Sequence, residues 1–459
     1  MTRRMGRRRP RGAALLVLAT LLVLALTAVM LGGLSGARAA AARERTTALA
    51  LSRAHEALVA FAVSVNPDTA AKRPGDLPCP DLDNDGDAEA TCIQPSQRLG
   101  RLPWKTLGIA DLRDAAGERL WYAVSVHFKR NNTNPCPTAG GANCLNSDSS
   151  GTLTLRDQTG ALIHDGSNAA GALALIIAPG PVLTRQGAIA AQLRSCTGDA
   201  NPTLCQQTGR CSATTTPVCN AVNYLDRVAP PVMSIAGTSG NAEDNADIVE
   251  GVSANGFIQG PILDSGGETV LNDRIMVVRY EDVLPKLEAR IARTTLQCLL
   301  DYASMSAGRF PWAASVAADY TLALPDQALL TFGRLPNTLT QTVSQSGMSA
   351  TWPADCPISN LANGHKWWAN WQNLVFFAIA PAFAPNGAAA GCGACLIVDP
   401  PASVQDKHVV VVVAARALAG QVRGVSAATS AYLEGTNSAG SSFTQHAANA
   451  TFNDRVVFQ

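Results

Sequence analysis

The sequence predicts an α+β fold in which a long N-terminal helix leads into two sheet-containing halves in tandem. Three observations predict this class: an uncharged stretch at 13–34, a helix-forming continuation at 39–63, and short motifs of the first half that recur in the same order near the C-terminus. The first half of the helix is predicted to span a membrane, and the second half is predicted to pack on an antiparallel sheet.

The uncharged stretch 13–34 follows a basic leader that ends in Arg11-Gly12. A helix over these residues rises about 33 Å, enough for a hydrocarbon core of about 30 Å. The leader has no acidic residue, and its arginines are Arg3, Arg4, Arg7, Arg8, Arg9 and Arg11. Arginines beside a span stay cytoplasmic, so we expect the chain after residue 34 to face outward.

The helical pattern continues after the uncharged stretch. Residues 39–63 are nearly free of Gly and Pro, and Leu51, Ala54, Leu58 and Phe61 recur at spacings of three and four. That spacing places them on one side of a helix. We therefore expect this part of the helix to bury one stripe against the rest of the chain.

Gly12 stands at the boundary between the basic leader and the apolar stretch, and the segment 11–18 resembles the start of minor pilins and minor pseudopilins. The resemblance implies that a prepilin peptidase cuts between Gly12 and Ala13, and that the new amine is methylated. It implies a single-pass protein of the bacterial inner membrane, with periplasmic heads or a place at a pilus tip. Its partners would be other pilin or pseudopilin subunits. The alternatives are a plain anchor and a secretory signal cut near Ala37-Arg38-Ala39.

The resemblance is to minor rather than major subunits. Major pilins usually carry Phe at the first mature position and Glu at the fifth, where this chain has Ala13 and Val17. In major pilins the glutamate is thought to neutralise the terminal amine of a neighbour. The large minor pseudopilin at the tip also lacks it, which implies a place at the tip or in an initiation complex of a type IV pilus or type II secretion pseudopilus.

Charge and cysteine content limit the partners. Lys+Arg total 36 and Asp+Glu total 35, a net charge of +1; no nucleic-acid partner is expected. The 12 cysteines all follow the uncharged stretch, and an oxidising compartment predicts disulfides. The close pairs are Cys79/Cys92, Cys136/Cys144, Cys196/Cys205, Cys211/Cys219 and Cys392/Cys395. Spacing alone does not decide the pairing.

An internal duplication organises the chain. Tyr224-Leu225 followed by Asn272-Asp273-Arg274 matches Tyr432-Leu433 followed by Asn453-Asp454-Arg455. A second helix is predicted at 281–306, and buried strands at 172–179 and 408–414. We therefore divide the chain into a leader (1–12), a span (13–34), a first pilin-like head (35–280) and a second (281–459).

The acidic loop, residues 81–89, is the best candidate site. Asp81, Asp83, Asp85 and Asp87 alternate with other residues, and Gly86 is in sixth position, as in the first half of a calcium loop. The twelfth position holds Cys92 instead of a bidentate Glu. One interpretation is a calcium site that takes ligands from elsewhere; the other is a solvated acidic turn held by Cys79 and Cys92. No other cofactor is predicted.

Two further clusters have structural interpretations. Cys392-Gly393-Ala394-Cys395 has redox-like spacing but lies among Gly and Ala, so a structural disulfide is favoured over a redox motif or a zinc site with His365 or His408. The aromatic cluster is predicted to be core, with a ligand platform as the alternative. It comprises Trp367, Trp368, Trp371, Phe376 and Phe377.

Catalytic signatures such as a Gly-x-Ser-x-Gly elbow or a complete phosphate loop do not occur in the sequence. We therefore predict a non-enzymatic structural assembly subunit. One alternative is an adhesin displayed on a pilus, with a binding site in the long loops 195–220 or 235–270. The other is a membrane-anchored periplasmic enzyme, which would need a deep polar pocket with convergent titratable groups.

Overall fold

The structure is a computed structural model. It describes residues 13–65, 73–129, 145–183, 192–228, 243–263, 266–320, 322–358, 367–400, 402–425 and 427–459. Within the first helix, the side chains of 13–15 and 25–36 lie outside the description. The helices are α1 (Ala13–Ser64), α2 (Pro202–Thr208), α3 (Tyr280–Ser304) and α4 (Trp368–Trp371).

The strands of the first half are β1 (Leu99–Arg101), β2 (Trp121–Val124), β3 (Leu155–Arg156), β4 (Leu162–His164), β5 (Ala174–Ala178), β6 (Arg227–Val228), β7 (Glu243–Asp244), β8 (Phe257–Ile258), β9 (Ile262–Leu263), β10 (Thr269–Leu271) and β11 (Arg274–Val278). Those of the second half are β12 (Phe332–Arg334), β13 (Val375–Ile379), β14 (Leu396–Asp399), β15 (Ala402–Lys407), β16 (Val409–Val413), β17 (Ser442–Thr444) and β18 (Arg455–Phe458).

Two four-stranded antiparallel sheets share one topology. The first sheet has the order β1-β2-β5-β11, and the second sheet has the order β12-β13-β16-β18. Helix α1 contacts β5 and β11, while α3 contacts β16 and β18. Each long helix therefore covers the third and fourth strands of its own sheet.

One hydrophobic core joins the two halves. It contains Leu51, Ala54 and Leu58 of α1, together with Leu287 and Ile291 of α3, all buried. These residues recur at three- and four-residue spacing, which gives each helix an apolar stripe. Because α1 and α3 also contact each other, the inner faces of both sheets pack against a single core.

The central strands are buried on both faces. All five residues of β16, Val409–Val413, are inaccessible, and so are those of β5. In the first sheet the face away from α1 is covered by a second cluster that contains Trp121, Leu175 and Tyr224. A strand covered on both sides has no polar face, which explains the continuous apolar runs.

A buried arginine occupies the same position at the edge of each sheet. The Arg101 guanidinium lies 3.9 Å from the centroid of the Tyr224 ring and 4.2 Å from that of Trp121. The Arg334 guanidinium lies 5.0 Å from the Tyr432 ring and 5.6 Å from that of Phe376. Cation–π contacts of this kind partly compensate for the loss of hydration.

The glycine before each arginine is required by close packing. A Cβ on Gly100 would lie 2.7 Å from the carbonyl oxygen of Asp81, and one on Gly333 would lie 2.1 Å from that of Ala314. These two carbonyls accept the Arg101 and Arg334 backbone N–H groups at 2.7 Å and 3.0 Å. A further segment thus pairs with the edge strand of each sheet.

A buried Asn–Asp pair fixes the loops of the first half. The Asn245 side chain accepts the Ile258 backbone N–H at 2.7 Å and donates to the Ile258 carbonyl at 3.0 Å and to Asp273 at 2.9 Å. Asp273 also accepts the Asp226 N–H at 2.8 Å, and Asp226 in turn accepts the Asn272 N–H at 2.9 Å.

The second half repeats this network. Asn437 accepts the Thr444 N–H at 2.7 Å and donates to the Thr444 carbonyl at 3.2 Å and to Asp454 at 2.9 Å. Asp454 accepts the Glu434 N–H at 2.9 Å, and Glu434 accepts the Asn453 N–H at 3.1 Å. The network uses the Asn-Asp part of the Asn-Asp-Arg motif and the acidic residue that follows Tyr-Leu in each half, Asp226 or Glu434. It gives the recurrence of these residues a physical reason.

These findings correct the predicted fold class and localisation. Over the residues that the structure describes, no helix is both long and apolar enough to cross a membrane. The predicted membrane-spanning half of the N-terminal helix is therefore wrong, and so is the single-pass placement in the bacterial inner membrane with periplasmic heads. That expectation rested on the length and missing charge of 13–34, on the arginine-rich leader and on the resemblance to minor pilins.

The predicted sheet content is also wrong. The described part contains eighteen strands in six sheets, where the pilin-like class predicted one small antiparallel sheet per half. Two of the smaller sheets include parallel pairs, β3 with β8 and β14 with β17. Short strands in long connections find partners far along the chain, and a local pattern of alternation does not reveal such pairs.

Replacing Asn437 with Ala should lower the free energy of unfolding by about 2 kcal/mol or more, because buried partners lose their hydrogen bonds. Asn245→Ala should have a similar effect in the first half, since the two side chains make equivalent bonds. Chemical unfolding followed by circular dichroism measures the change. The control is Asn449→Ala, an exposed position; equal midpoints for Asn437→Ala and this control would contradict the prediction.

Candidate functional site

The acidic loop lies against the outer edge of the first sheet. Its first residue, Asp81, pairs with Arg101 of β1 through two backbone hydrogen bonds of 3.0 Å and 2.7 Å. The Cys79–Cys92 disulfide closes the loop at its base, with both cysteines fully buried. The loop is therefore held in place at both ends.

Three of the four predicted aspartates converge. The carboxylates of Asp81, Asp83 and Asp85 each have an oxygen within 4.8 Å of the others. The Gly86 N–H donates to Asp81 at 2.7 Å, and the Asp85 N–H reaches both Asp81 and Asp83 at 3.2 Å. Backbone donors on the inside of the turn thus collect the carboxylates on one side.

Gly86 is needed at the turn for two reasons. Its φ of +94° favours glycine. A Cβ at this position would lie 2.6 Å from Nε1 of Trp104. The sixth-position glycine therefore serves the same purpose as in a calcium loop, a sharp reversal beneath the carboxylates.

Asp87 does not join the other three. Its side chain is exposed and lies 3.7 Å from the Lys105 ammonium group. Glu89 accepts the Leu82 N–H at 3.4 Å, and burial raises the pKa of its carboxyl. The loop therefore offers a cation three carboxylates, not the predicted four.

The carboxyl group of Asp81 is buried, and burial changes its pKa. Burial raises the pKa of this carboxyl from 3.8 to about 7, and the neighbouring Asp83 and Asp85 add to the effect while the Gly86 N–H opposes it. A carboxyl with this pKa is partly protonated near neutral pH.

A positive charge already lies on the cluster. Arg210 forms ion pairs with Asp83 at 2.8 Å and with Asp85 at 3.2 Å. The segment that carries it is fastened by two hydrogen bonds, from Asn84 to the Gly209 carbonyl at 2.8 Å and from the Cys211 N–H to the Asp83 carbonyl at 2.9 Å. Asp81, Asp83 and Asp85 could hold a calcium ion only if Arg210 moved aside.

Sequence reasoning did not find Arg210, because it lies far from the aspartates along the chain. The only local signal is its position beside Cys211, within a cysteine-rich segment. That segment is the first of the two predicted binding loops, and it contains the Cys196–Cys205 and Cys211–Cys219 bonds. Part of the other loop, 235–270, lies outside the described residues.

The acidic loop belongs to the first half alone. The residue that pairs with the edge strand at the equivalent point of the second half is Ala314, which bonds to Arg334 as Asp81 bonds to Arg101. The shared architecture thus does not require a carboxylate at this position.

The remaining predicted site residues are placed as follows. Disulfide bonds are present, as predicted. Cys298–Cys356 and Cys392–Cys395 lie in the second half. Cys136 and Cys144 lie outside the described residues, as do Gly12 and His365; Ala13 opens α1.

All five members of the aromatic cluster are buried, so their role in core packing is confirmed.

Comparison with protein-family models, with curated proteins and with solved structures gave no significant match to this chain.

The stability of the chain should fall as pH rises from about 4 to about 7, in part because of Asp81. Its folded pKa is raised from 3.8 to about 7. The folded state thus holds the proton more tightly than the unfolded state, and this contribution is lost as the proton leaves. Asp81→Asn mimics the protonated carboxyl and should be more stable than the wild type at pH 8.

Thermal unfolding midpoints across this pH range, in the presence of a chelator, measure the effect. Asp87→Asn is the matched control, because its carboxylate is exposed and lies outside the cluster. Since other buried carboxyls titrate too, the informative quantity is the difference between variant and wild type. A constant difference from pH 4 to pH 8 would show that Asp81 does not carry the effect.

Proposed function

We propose that the chain is a structural subunit of a helical assembly, similar in role to a minor pilin or pseudopilin. The observation that carries the proposal is the exposed apolar surface of α1. Within 16–24, seven large apolar residues are more than half exposed: Leu16, Val17, Leu18, Leu21, Leu22, Val23 and Leu24.

The exposed apolar side chains of this segment lie on every side of the helix. Successive residues are about 100° apart, so the run 21–24 alone covers nearly all directions. A helix that is apolar on every side is buried on every side in its working state. Full burial of each Leu or Val contributes about 1.5–3 kcal/mol, so leaving the seven in water is unfavourable.

None of the described residues outside α1 buries this surface. The first buried residue of α1 in the described part is Thr47, and an ion pair between Glu44 and Arg274 of β11 lies just before it. The segment before it extends for about 50 Å at 1.5 Å per residue. The geometry fits equivalent helices of neighbouring subunits, packed side by side along this segment.

The size of the head favours a place at the end of the assembly. Two four-stranded sheets and their connections share one core at the end of a single projecting helix. A repeating shaft brings neighbouring heads close together, whereas a tip or an initiation complex leaves room. Val17 is exposed and uncharged, so it cannot neutralise the terminal amine of a neighbouring subunit. This also favours a place at the end of the assembly.

The purified full chain should self-associate through this helix when its natural neighbours are missing, because association removes the apolar surface from water. The variant Leu18→Gln with Leu22→Gln should shift the population toward monomer in sedimentation velocity. The control is Leu322→Gln with Val422→Gln, which alters two side chains at least as exposed, 66% and 79%, but far from the helix. Unchanged mass for the helix variant, or association only with added lipid, would contradict helix-mediated assembly.

Coexpression with a prepilin peptidase should remove residues 1–12, since the proposed role includes this maturation. Intact mass spectrometry should show a chain that begins at Ala13 with one added methyl group. Gly12→Trp should retain the leader, because a bulky side chain would block the residue before the cut. Gly6→Trp, which changes another leader glycine, should be processed normally. Cleavage of Gly12→Trp, or an uncut wild type beside a processed reference substrate, would exclude the peptidase step.

A further inference from the structure

Three potential ligand residues converge in the second half, away from the acidic loop. Sγ of Cys392, Sγ of Cys395 and a ring nitrogen of His408 lie within 4.8 Å of one another. In the structure the two cysteines form a disulfide that spans a sequence separation of 3.

Strand register explains the convergence. Strands β14 and β15 pair antiparallel, with Leu396 opposite Lys407. The next position outward brings Cys395, just before β14, across from His408, just after β15. The His408 backbone is fixed on both sides, since its N–H donates to Gln459 at 2.7 Å and its carbonyl accepts from Ala380 at 2.8 Å.

The imidazole of His408 is oriented by packing. Its ring stacks on Phe383 with 3.9 Å between centroids and 20° between planes. Among the described residues, no side chain or backbone group forms a hydrogen bond with its ring nitrogens. A half-buried histidine with a stacked ring and a free nitrogen is well placed to bind a metal ion.

This disulfide differs from the other four in the described part of the chain. Those span sequence separations of 13, 9, 8 and 58, and a bond that closes a very short loop restricts the unfolded chain least. Cys392 is exposed, and open space surrounds the neighbouring Gly391 and Gly393. A small contribution to stability and an accessible sulfur both favour a role for the reduced pair.

We propose that Cys392, Cys395 and His408 form a zinc-class metal site that opens when a dithiol reduces the disulfide. A thiolate of the dithiol attacks the exposed Cys392 sulfur, the S–S bond breaks, and Cys395 leaves as a thiolate that takes a proton. This step leaves a mixed disulfide between the reductant and Cys392. The second thiol of the reductant then attacks the reductant sulfur of that mixed disulfide and releases Cys392 as a thiolate, which takes a proton. Two electrons pass from the dithiol, which ends as a disulfide.

The reduced site then binds the metal ion. The two thiols lose their protons to solvent as Zn²⁺ binds, and the neutral imidazole supplies the third ligand. Two thiolates and one imidazole are donors that zinc prefers, and the fourth position is left for water or a substrate. In the oxidised state the sulfurs are bonded to each other and do not bind zinc.

The test uses the folded full chain. The chain is treated with dithiothreitol without denaturant, freed of the reagent under nitrogen, and titrated with Zn²⁺ against a chromophoric chelator. We expect one equivalent to bind to the reduced chain and none to the oxidised chain. Co²⁺ in place of Zn²⁺ should give the thiolate charge-transfer absorption of a two-sulfur site.

Three variants make the test specific. Cys392→Ser with Cys395→Ser should abolish binding, and His408→Asn should weaken it by more than about 10-fold, the lower end of what loss of a supporting group costs. The control is Cys196→Ser with Cys205→Ser, which removes another short-range disulfide and should leave the added equivalent unchanged. Unfolding midpoints show whether each variant is folded.

Failure of the reduced wild type to bind zinc would overturn the proposal. Equal affinity in folded His408→Asn would remove the histidine from the site and overturn the assignment in the same way. Binding that persists in the double cysteine variant would place the metal on other thiols and contradict it as well.

Discussion

The shared packing of α1 and α3 is the constraint on which the rest of the structure depends. Each helix covers the third and fourth strands of its sheet, and the two helices also contact each other. Polar contacts reinforce the pairing: His55 lies 3.2 Å from Asp282, and Arg290 donates to the Val65 carbonyl at 2.8 Å. Each helix therefore buries the inner face of its own sheet, and the contact between the helices joins the two halves in one core.

Several buried polar groups inside the two halves have partners that offset the cost of burial. Glu288 of α3 is fully buried, but it accepts from Arg455 at 3.1 Å and from the Tyr280 hydroxyl at 3.0 Å. The Asn–Asp pairs satisfy further buried backbone groups in the same positions of each half. In contrast, Nε of Arg101 and of Arg334 forms no hydrogen bond with a described residue, and the two guanidinium groups lie on aromatic rings instead. A buried polar group without partners is costly, so such networks constrain the sequence more tightly than apolar packing does.

Local patterns in the sequence predicted much of the scaffold. The second helix was predicted at 281–306 and extends over Tyr280–Ser304, and the apolar run at 408–414 contains β16. These elements follow from periodicity, which depends on near neighbours. The convergence of Asp81, Asp83 and Asp85 was also within reach, since alternate oxygens and a glycine imply a tight turn.

Contacts between distant segments could not be predicted in this way. Arg210 meets the acidic loop across 127 residues, and Cys298 bonds to Cys356 across 58. The stacked arginines do have a local signal in the sequence, because Gly-Arg occurs at the equivalent edge strand of each half. A two-residue motif is too short to predict such a contact by itself. The membrane expectation was wrong because apolar length is necessary for a span but does not establish one.

The continuity of α1 has a mechanical consequence. The same helix that projects from the head also packs on the first sheet and on α3. A force applied along its axis would act in parallel on many side-chain contacts between α1, α3 and the first sheet. Shear geometry of this kind resists extraction better than a contact that opens one residue at a time. Traction on the head would therefore be shared among these contacts.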